Sequence, residues 1–257
     1  MNRWNGRVAL VTGASSGIGA AICRQLVEHG MTVIGAARSH SKVQELADEL
    51  KGQKGSLHAI RCDISKDNDV RALFATIKQK HGGVDVCINN AGIDSYSPLM
   101  DGDVNKWRAM FDVNVIGLSH CTREALVSMK ERKVDDGQII HISSIAGHVV
   151  ISPQMVSAMY TASKYAVNAL TEGLRQELRQ AKSSIRVSSI SPGVVGTGFF
   201  SAQQNVSEEK AKEMMGAMLE FKVLEASDIA DSAIYILAAP PHVEIDNVMI
   251  RPTGQQF

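Results

Sequence analysis

The 257-residue chain has little of what marks many specialised proteins. Its four cysteines, Cys23, Cys62, Cys87 and Cys121, are widely spread, with no CxxC pair and no Cys/His cluster. That argues against a structural zinc site or a disulfide framework and makes a reducing compartment the expected home. Net charge is missing as well: 27 Lys and Arg balance 27 Asp and Glu. Nothing therefore suggests long-range attraction to nucleic acid or an anionic membrane, and a small-molecule partner is expected. Aromatic residues make up only 5%, against a hydrophobic share of 44%, which suits a compact enzyme built from Ala, Val, Ile and Leu. No apolar stretch is long enough to span a bilayer, and residues 1–7 hold no signal-peptide core, so a cytoplasmic location is expected. No Pro/Ser-rich linker, low-complexity tract or repeat divides the chain. Residues 1–257 are expected to form one domain, with a cofactor half over about 1–135 and catalytic and substrate elements over about 136–257.

Six apolar runs, 8–11, 32–36, 57–60, 84–88, 139–142 and 185–190, read as strands buried on both faces. Helical patterns lie at 18–29, 41–51, 67–81, 104–129, 158–181 and 227–238. Gly30 closes the first, Gly82-Gly83 follow the third, and Pro240-Pro241 stop the last. The alternation predicts an α/β fold, a Rossmann-type doubly wound parallel sheet with helices on both faces. Its ligand crevice is expected beyond the carboxyl ends of the strands.

Directly after the first strand stands Thr12-Gly13-Ala14-Ser15-Ser16-Gly17-Ile18-Gly19, opening the first helix. Glycines there let the backbone approach a pyrophosphate, while unpaired N–H groups and the helix dipole favour its charge. The GxxxGxG spacing differs from the common GxGxxG fingerprint, so position carries the reading, against a plain strand-to-helix turn. After the second strand no acid stands where a ribose-binding Asp or Glu is expected; Arg38 does. Its guanidinium suits a ribose phosphate and stacking on adenine, pointing to NADP rather than NAD, the alternative being a solvated arginine. Asp63 follows the third strand, placed either for the adenine edge or as a helix-start residue. Small and polar residues also end the fourth, fifth and sixth strands: Asn89-Asn90-Ala91-Gly92, Ser143-Ser144 and Ser191-Pro192-Gly193-Val194-Val195-Gly196-Thr197.

Tyr160 and Lys164 sit four residues apart, which stacks a phenol beside an ammonium on one helix face. A free tyrosine ionises near pH ~10 and needs a nearby positive charge to work at neutral pH. Lys164 is placed to supply it, although the spacing alone is common on helix surfaces. His141 falls within the fifth strand and His148 on the loop after it, with no carboxylate or cysteine cluster to make either a metal ligand.

Taken together and in order, these motifs resemble the short-chain dehydrogenase/reductase family over nearly the whole chain. TGxxxGxG is Thr12 to Gly19, NNAG is Asn89 to Gly92, the helix-four asparagine is Asn114, and YxxxK is Tyr160 to Lys164. Ser144 aligns with the family's serine, and Pro192, Gly193 and Thr197 match its nicotinamide-side loop. Within the family the chain is similar to the NADP-using branch of insect farnesol dehydrogenases and vertebrate keto-steroid reductases, through 129–133, 170–177 and 191–195.

The resemblance implies reversible hydride transfer between NADP(H) and an alcohol or carbonyl, with Asn114, Ser144, Tyr160 and Lys164 as the catalytic set. Tyr160 would be the acid/base, Ser144 would hold the substrate oxygen, and Lys164 would lower the Tyr160 pKa and hold the nicotinamide ribose. Asn114 would hold a water leading to solvent. Gly13, Ser15, Ser16, Gly17, Ile18, Gly19, Arg38, Asp63, Ile64, Asn90, Ala91, Gly92, Pro192, Gly193, Val195 and Thr197, with Tyr160 and Lys164, would bind the cofactor; no metal is required. Related enzymes form homodimers or homotetramers through the helices at 104–129 and 158–181.

Two departures stand out. The stretch from Ser144 to Tyr160 is several residues longer than usual, and the tail 249–254 lacks the family's paired glycines. The long stretch suggests an apolar pocket of His148, Val149, Ile151 and Met155 with Phe199 and Phe200, suited to a prenyl alcohol such as farnesol. Phe199 and Phe200, with Met214, Met215 and Met218 of a helical run at 207–218, read as a substrate lid or as the buried side of a short helix. A keto-steroid or general carbonyl reductase is the alternative, and a redox-silent NADP-sensing module the alternative of another class. A sugar epimerase on the same fold would normally need a larger C-terminal region.

Overall fold

The computed structural model describes residues 1–151, 156–204, 206–207, 209–210, 213–214, 216 and 221–256. Pro153, Met155, Met215 and Met218 lie outside these. The strands are β1 (Val8–Thr12), β2 (Thr32–Ala37), β3 (Ser56–Arg61), β4 (Val86–Asn89), β5 (Gln138–Ile142), β6 (Arg186–Pro192) and β7 (Asn247–Ile250). They form one sheet in the order β3-β2-β1-β4-β5-β6-β7, every pair parallel. This is the expected single-domain Rossmann-like fold. β1 lies between β2 and β4, so the chain crosses from β3 to β4 over the sheet and opens a crevice beyond the carboxyl end of β1.

Alternation along β1 shows why both faces need helices. Ala9 and Val11 pack with Ile22 and Leu26 of α1 (Gly17–Glu28), Val43 of α2 (His40–Glu49) and Ile229 and Ala233 of α8 (Ala226–Ala238). Val8 and Leu10 pack with Leu73 and Ile77 of α3 (Asp67–His81) and Cys121 and Met129 of α5 (Leu118–Glu131). Each large aliphatic chain so buried contributes roughly 1.5–3 kcal/mol, and the layers hold the strand ends that shape the crevice. All four cysteines are buried thiols in these layers.

Three sequence expectations change. β3 is not buried on both faces: it is an edge strand, with His58 and Arg61 exposed and only Leu57 fully covered. Its apolar run reads like an interior strand, but among the described residues no strand lies beyond it. At the other edge, β7 escapes the apolar-run reading because its four residues alternate between exposed and half-buried. The single helix expected at 104–129 is α4 (Val104–Phe111), then a π-helical segment (Asp112–Gly117), then α5. Such π segments widen a helix locally and are frequent at functional sites; this one carries Asn114. α6 (Ala158–Gln180) presents Tyr160 and Lys164, and α7 (Phe199–Gln204) follows the β6 loop. Among the described residues no helix is long and apolar enough to cross a membrane.

Candidate active site

A cleft of about 380 Å³ opens at the carboxyl ends of the strands. Its floor is the β1–α1 turn, where Gly13 N and Ala14 N donate to the Ala36 carbonyl at 2.8 and 3.3 Å. A Cβ on Gly13, which has φ +69, would stand 2.8 Å from Ala91 Cα; one on Gly19 would press on the Gly13 carbonyl and lie 2.5 Å from Asn90 Nδ2. Close approach thus requires both glycines. Asn90 Nδ2 donates to the Thr12 and Gly13 carbonyls at 2.9 and 3.2 Å, and the Asn90 and Ala91 amides donate to Thr12 Oγ1 at 3.1 Å. The NNAG loop therefore braces the glycine turn. Helix α1 begins without a side-chain cap from Ser16 and without an acid in its first turn. Its exposed N–H groups and dipole suit an anion, so the turn fits a dinucleotide pyrophosphate.

At one end the cleft is lined by Arg38, Asp63 and Ile64, with Arg38 exposed. Asp63 lines the cleft, and it stands three residues before Lys66, the N-cap of α3, so it does not cap that helix. Its Oδ1 accepts from Ser65 N and Oγ at 3.0 and 2.7 Å, forming a local turn, while the residue faces the cleft. Burial works against its charge, but the Ser65 hydrogen bonds and the Arg38 and Lys66 charges hold its carboxyl below the usual range.

At the other end Tyr160, Lys164 and Ser144 meet, with Tyr160 and Lys164 buried. Ser157 N-caps α6, accepting from Tyr160 N at 3.1 Å, and so sets the first turn of the helix that carries the tyrosine. Ser144 lines the cleft beside Tyr160, and its hydroxyl favours the ionised phenol. The Phe199 ring lies 5.6 Å from the Tyr160 ring. Burial pushes the Tyr160 hydroxyl well above its ordinary pKa, the Asp94 charge adds to the push, and the Ser144 hydroxyl opposes it.

The expected lowering by Lys164 is not seen. Lys164 Nζ lies 5.6 Å from the ring centroid and donates to the Ile142 carbonyl at 2.8 Å. Burial brings its own pKa down to about 8, so the ammonium stays mostly charged at neutral pH. Asn114 is also differently employed. It is buried, its Oδ1 accepting from Ile93 N at 2.8 Å and its Nδ2 donating to Ile93 O and Ser163 Oγ at 2.8 and 3.0 Å. It pins the loop after NNAG to α6 and is not on the cleft wall.

Of the residues expected to bind cofactor, Gly13, Ser15, Ser16, Gly17, Ile18, Arg38, Asp63, Ile64, Asn90, Ala91, Gly92, Tyr160, Lys164, Pro192, Gly193, Val195 and Thr197 line the cleft; Gly19 lies beneath it. Of the expected substrate residues only Phe199 does. His148 is exposed, bonded through Nε2 to Ser191 Oγ at 2.9 Å and Asn168 Nδ2 at 3.1 Å. Val149 is 44% exposed. Ile151 is buried with Met110 and Ile145 in an apolar cluster that also holds Tyr160, and Phe200 is half-buried outside the lining. Ile93, Val113, Gly198 and Ala202 line the cleft unforeseen. The first three adjoin motif residues, which is the signal that would have found them. The unusual tail also has a place: Gly193 N donates to Ile250 O at 2.7 Å, and Val194 N to Gln255 Oε1 at 3.1 Å.

The family described as short chain dehydrogenase matches residues 7–208. "Dehydrogenase/reductase SDR family member 11" of Gallus gallus is 53% identical over 99% of each chain. "Farnesol dehydrogenase" of Aedes aegypti is 45% identical over the full length of both. Among solved structures, the closed form of a serine dehydrogenase complexed with NADP+ matches at a TM-score of 0.86 and 30% identity, covering 97% of this chain and 96% of that one. The chain belongs to the short-chain dehydrogenase family and is an oxidoreductase of that family's fold.

Proposed function

We propose that the protein transfers hydride reversibly between NADP(H) and a hydrophobic alcohol or carbonyl compound, with a prenyl alcohol such as farnesol as the leading candidate. The observation that carries this reading is the meeting of Ser144, Tyr160 and Lys164 in the same cleft as the uncapped start of α1. NADPH, when bound, supplies the hydride. The glycine turn, with Ser15, Ser16 and Ile18, would hold its pyrophosphate, and Arg38 a ribose phosphate, with Asp63 and Ile64 beside the adenine. Asn90 to Gly92, Lys164, Pro192, Gly193, Val195 and Thr197 would hold the nicotinamide half.

In reduction Tyr160 donates its proton to the developing alkoxide; in oxidation its phenolate removes the hydroxyl proton. Burial keeps Tyr160 in its protonated form before hydride transfer, while the raised proton affinity opposes the proton transfer itself. Ser144 donates to the same substrate oxygen, where charge develops. Lys164 relays the replacement proton. Both Asn114 amide hydrogens are spent on Ile93 and Ser163, so any water in that relay would rest on the Asn114 backbone carbonyl.

An apolar substrate is supported by Phe199 against Tyr160 and by Ile93, Val113 and Ala202 in the cleft wall. The name of the Aedes aegypti relative points the same way. NADP is supported by Arg38 in the place of the ribose acid. Exposed Ile116, Val127, Tyr165 and Leu170 on the π segment, α5 and α6 support a homodimer or homotetramer, which light scattering would test. A cytoplasmic site of action fits the absence of any described membrane-crossing helix.

The test is a panel of farnesol, keto-steroids and a small polar alcohol, each with NADP(H) and NAD(H). Farnesol with NADP+ should give the highest kcat/KM. Higher efficiency on keto-steroids would select that alternative. Equal or better efficiency on the small polar alcohol overturns the hydrophobic reading, and indifference between cofactors overturns the role of Arg38. Tight NADPH binding with no turnover across the panel would mark a redox-silent sensing module.

A further inference from the structure

The strongest unassigned feature near the cleft is a carboxylate. Asp94, two residues beyond NNAG, is 5% exposed and makes no ion pair among the described residues. A buried, unpaired charge is costly unless donors surround it, and they do. Oδ1 accepts from Ser157 Oγ at 2.7 Å; Oδ2 accepts from Ser157 N at 3.3 Å and Gln203 Nε2 at 2.6 Å; the Ser95 amide supplies a fourth bond. Ser157 and Gln203 are both buried.

These contacts tie three separate segments together. Ser157 is the N-cap of α6, and its Oγ accepts from Tyr160 N at 3.1 Å while donating to Asp94. Gln203 lies four residues after Phe199 on α7, so the two share a helix face. Phe199 meets the Tyr160 ring at 5.6 Å, and Gln203 meets the carboxylate that holds the Tyr160 turn. Helix α7 therefore meets the start of α6 directly through Phe199 and, one turn further on, indirectly through Asp94.

We propose that Asp94 is a positioning residue for Tyr160: its carboxylate clasps α7 to the capped first turn of α6, so that the Phe199 cover and the tyrosine hydroxyl are set together. Asp94 reaches the reacting atoms only through Ser157 and Gln203. The effect on turnover rests on the reading of Tyr160 as acid/base, whereas the clasp itself is a matter of structure and can be measured without substrate.

The experiment compares wild type, Asp94→Ala, Gln203→Ala, the double variant and Asp94→Asn. Hydrogen exchange of the 199–204 amides and separate kcat and KM values on the best panel substrate are the readouts, with thermal unfolding and NADPH binding as checks on folding. Both alanine variants should speed exchange at 199–204, raise KM and lower kcat. Leaving buried donors unpaired should cost roughly tenfold or more in kcat/KM. The double variant should be little worse than the poorer single one, since the Asp94–Gln203 contact can be lost only once. Asp94→Asn should stay within about threefold of wild type, because its amide oxygen still accepts from Ser157 Oγ and its NH2 can donate to Gln203 once that amide turns.

Unchanged exchange at 199–204 in both alanine variants overturns the clasp. So does a double variant whose loss is the product of the single losses. Faster exchange with unchanged kcat and KM overturns the link to Tyr160, and failure of Asp94→Asn to restore exchange overturns the hydrogen-bond account. If Asp94→Ala does not fold, Gln203→Ala and Asp94→Asn still decide. If wild type turns over nothing in the panel, the proposed function fails and the exchange data still judge the clasp.

Discussion

The two ends of the cleft are built by different means. The pyrophosphate end is made of backbone: Gly13 and Gly19 leave no room for a Cβ, Asn90 bonds to main-chain carbonyls, and α1 offers uncapped N–H groups. The end around Tyr160 is made of side chains from distant segments, with Asp94, Asn114, Ser144, Ser157, Phe199 and Gln203 converging on one turn of α6. A backbone site tolerates few residue types and leaves a fixed string in the sequence. A side-chain site leaves only a short string, here Tyr160 and Lys164 at helical spacing, and the residues that support it leave none.

If the side-chain end performs the chemistry and the backbone end only binds, one substitution should separate them. Tyr160→Phe keeps the ring against Phe199 and removes only the hydroxyl. It should lower kcat by at least about a hundredfold, the usual contribution of a positioned acid/base. NADPH affinity, followed by fluorescence, should stay within about threefold, because a single hydroxyl lost from a many-contact site costs little. Retained turnover would remove Tyr160 from the chemistry.

The converse substitution is Gly19→Ala. Its methyl group would push on the Gly13 carbonyl and Asn90 Nδ2. Overpacking of this kind costs about 1–3 kcal/mol, so NADPH affinity should fall by roughly ten- to a hundredfold, with a lower melting temperature. In enzyme saturated with NADPH, kcat should recover to within a few-fold of wild type. A kcat defect that saturation does not relieve would mean the two ends are not separable.

The same contrast explains what the sequence made legible. Parallel topology followed from buried apolar runs alternating with helical patterns, and the cofactor end followed from glycines at a strand-to-helix turn. The edge position of β3 was hidden because an apolar run reports burial propensity and says nothing of whether a neighbour exists beyond it. The π segment was hidden because its apolar pattern continues that of the flanking helices. Asp94 gave no signal at all: a lone acid two residues after Gly92 reads as part of a loop, and its partners lie 63 and 109 residues away in sequence. Helical spacing put Lys164 on the Tyr160 face but could not show that its ammonium also donates to the Ile142 carbonyl.

A smaller effect tests what underlies the tyrosine end. His141 is buried in β5, with Nε2 3.1 Å from Thr122 Oγ1 and Nδ1 2.8 Å from Thr171 Oγ1. Burial, with the Lys164 charge adding to it, lowers its pKa to about 3. The folded protein thus excludes a proton that the unfolded chain takes up below about pH 6.5. Its stabilising contribution is whole above that pH and declines as the pH falls toward 3, by up to ~1.4 kcal/mol per unit. Denaturant unfolding at pH 6.5 and 5 should show wild type losing roughly 2 kcal/mol more than His141→Gln over that interval. Equal losses would mean His141 is not held neutral.

The smallest expected effect concerns where the tyrosine end stops. His148 lies in the stretch that the sequence marks as the substrate mouth, yet it is exposed and bonded to Ser191 and Asn168, outside the cleft lining. Exposed side chains away from special features usually change energies by less than about 0.5 kcal/mol. His148→Ala should therefore leave KM for the best alcohol and for NADP+ within about twofold, with kcat unchanged. Steady-state kinetics on the farnesol and small-alcohol arms decide it. A selective rise in KM for the larger substrate would carry the pocket outward along the stretch from Ser144 to Tyr160. An unchanged KM would confine the apolar surface to Phe199, Ile93 and their neighbours at the cleft wall, and so place discrimination among alcohols with the segments that Asp94 joins.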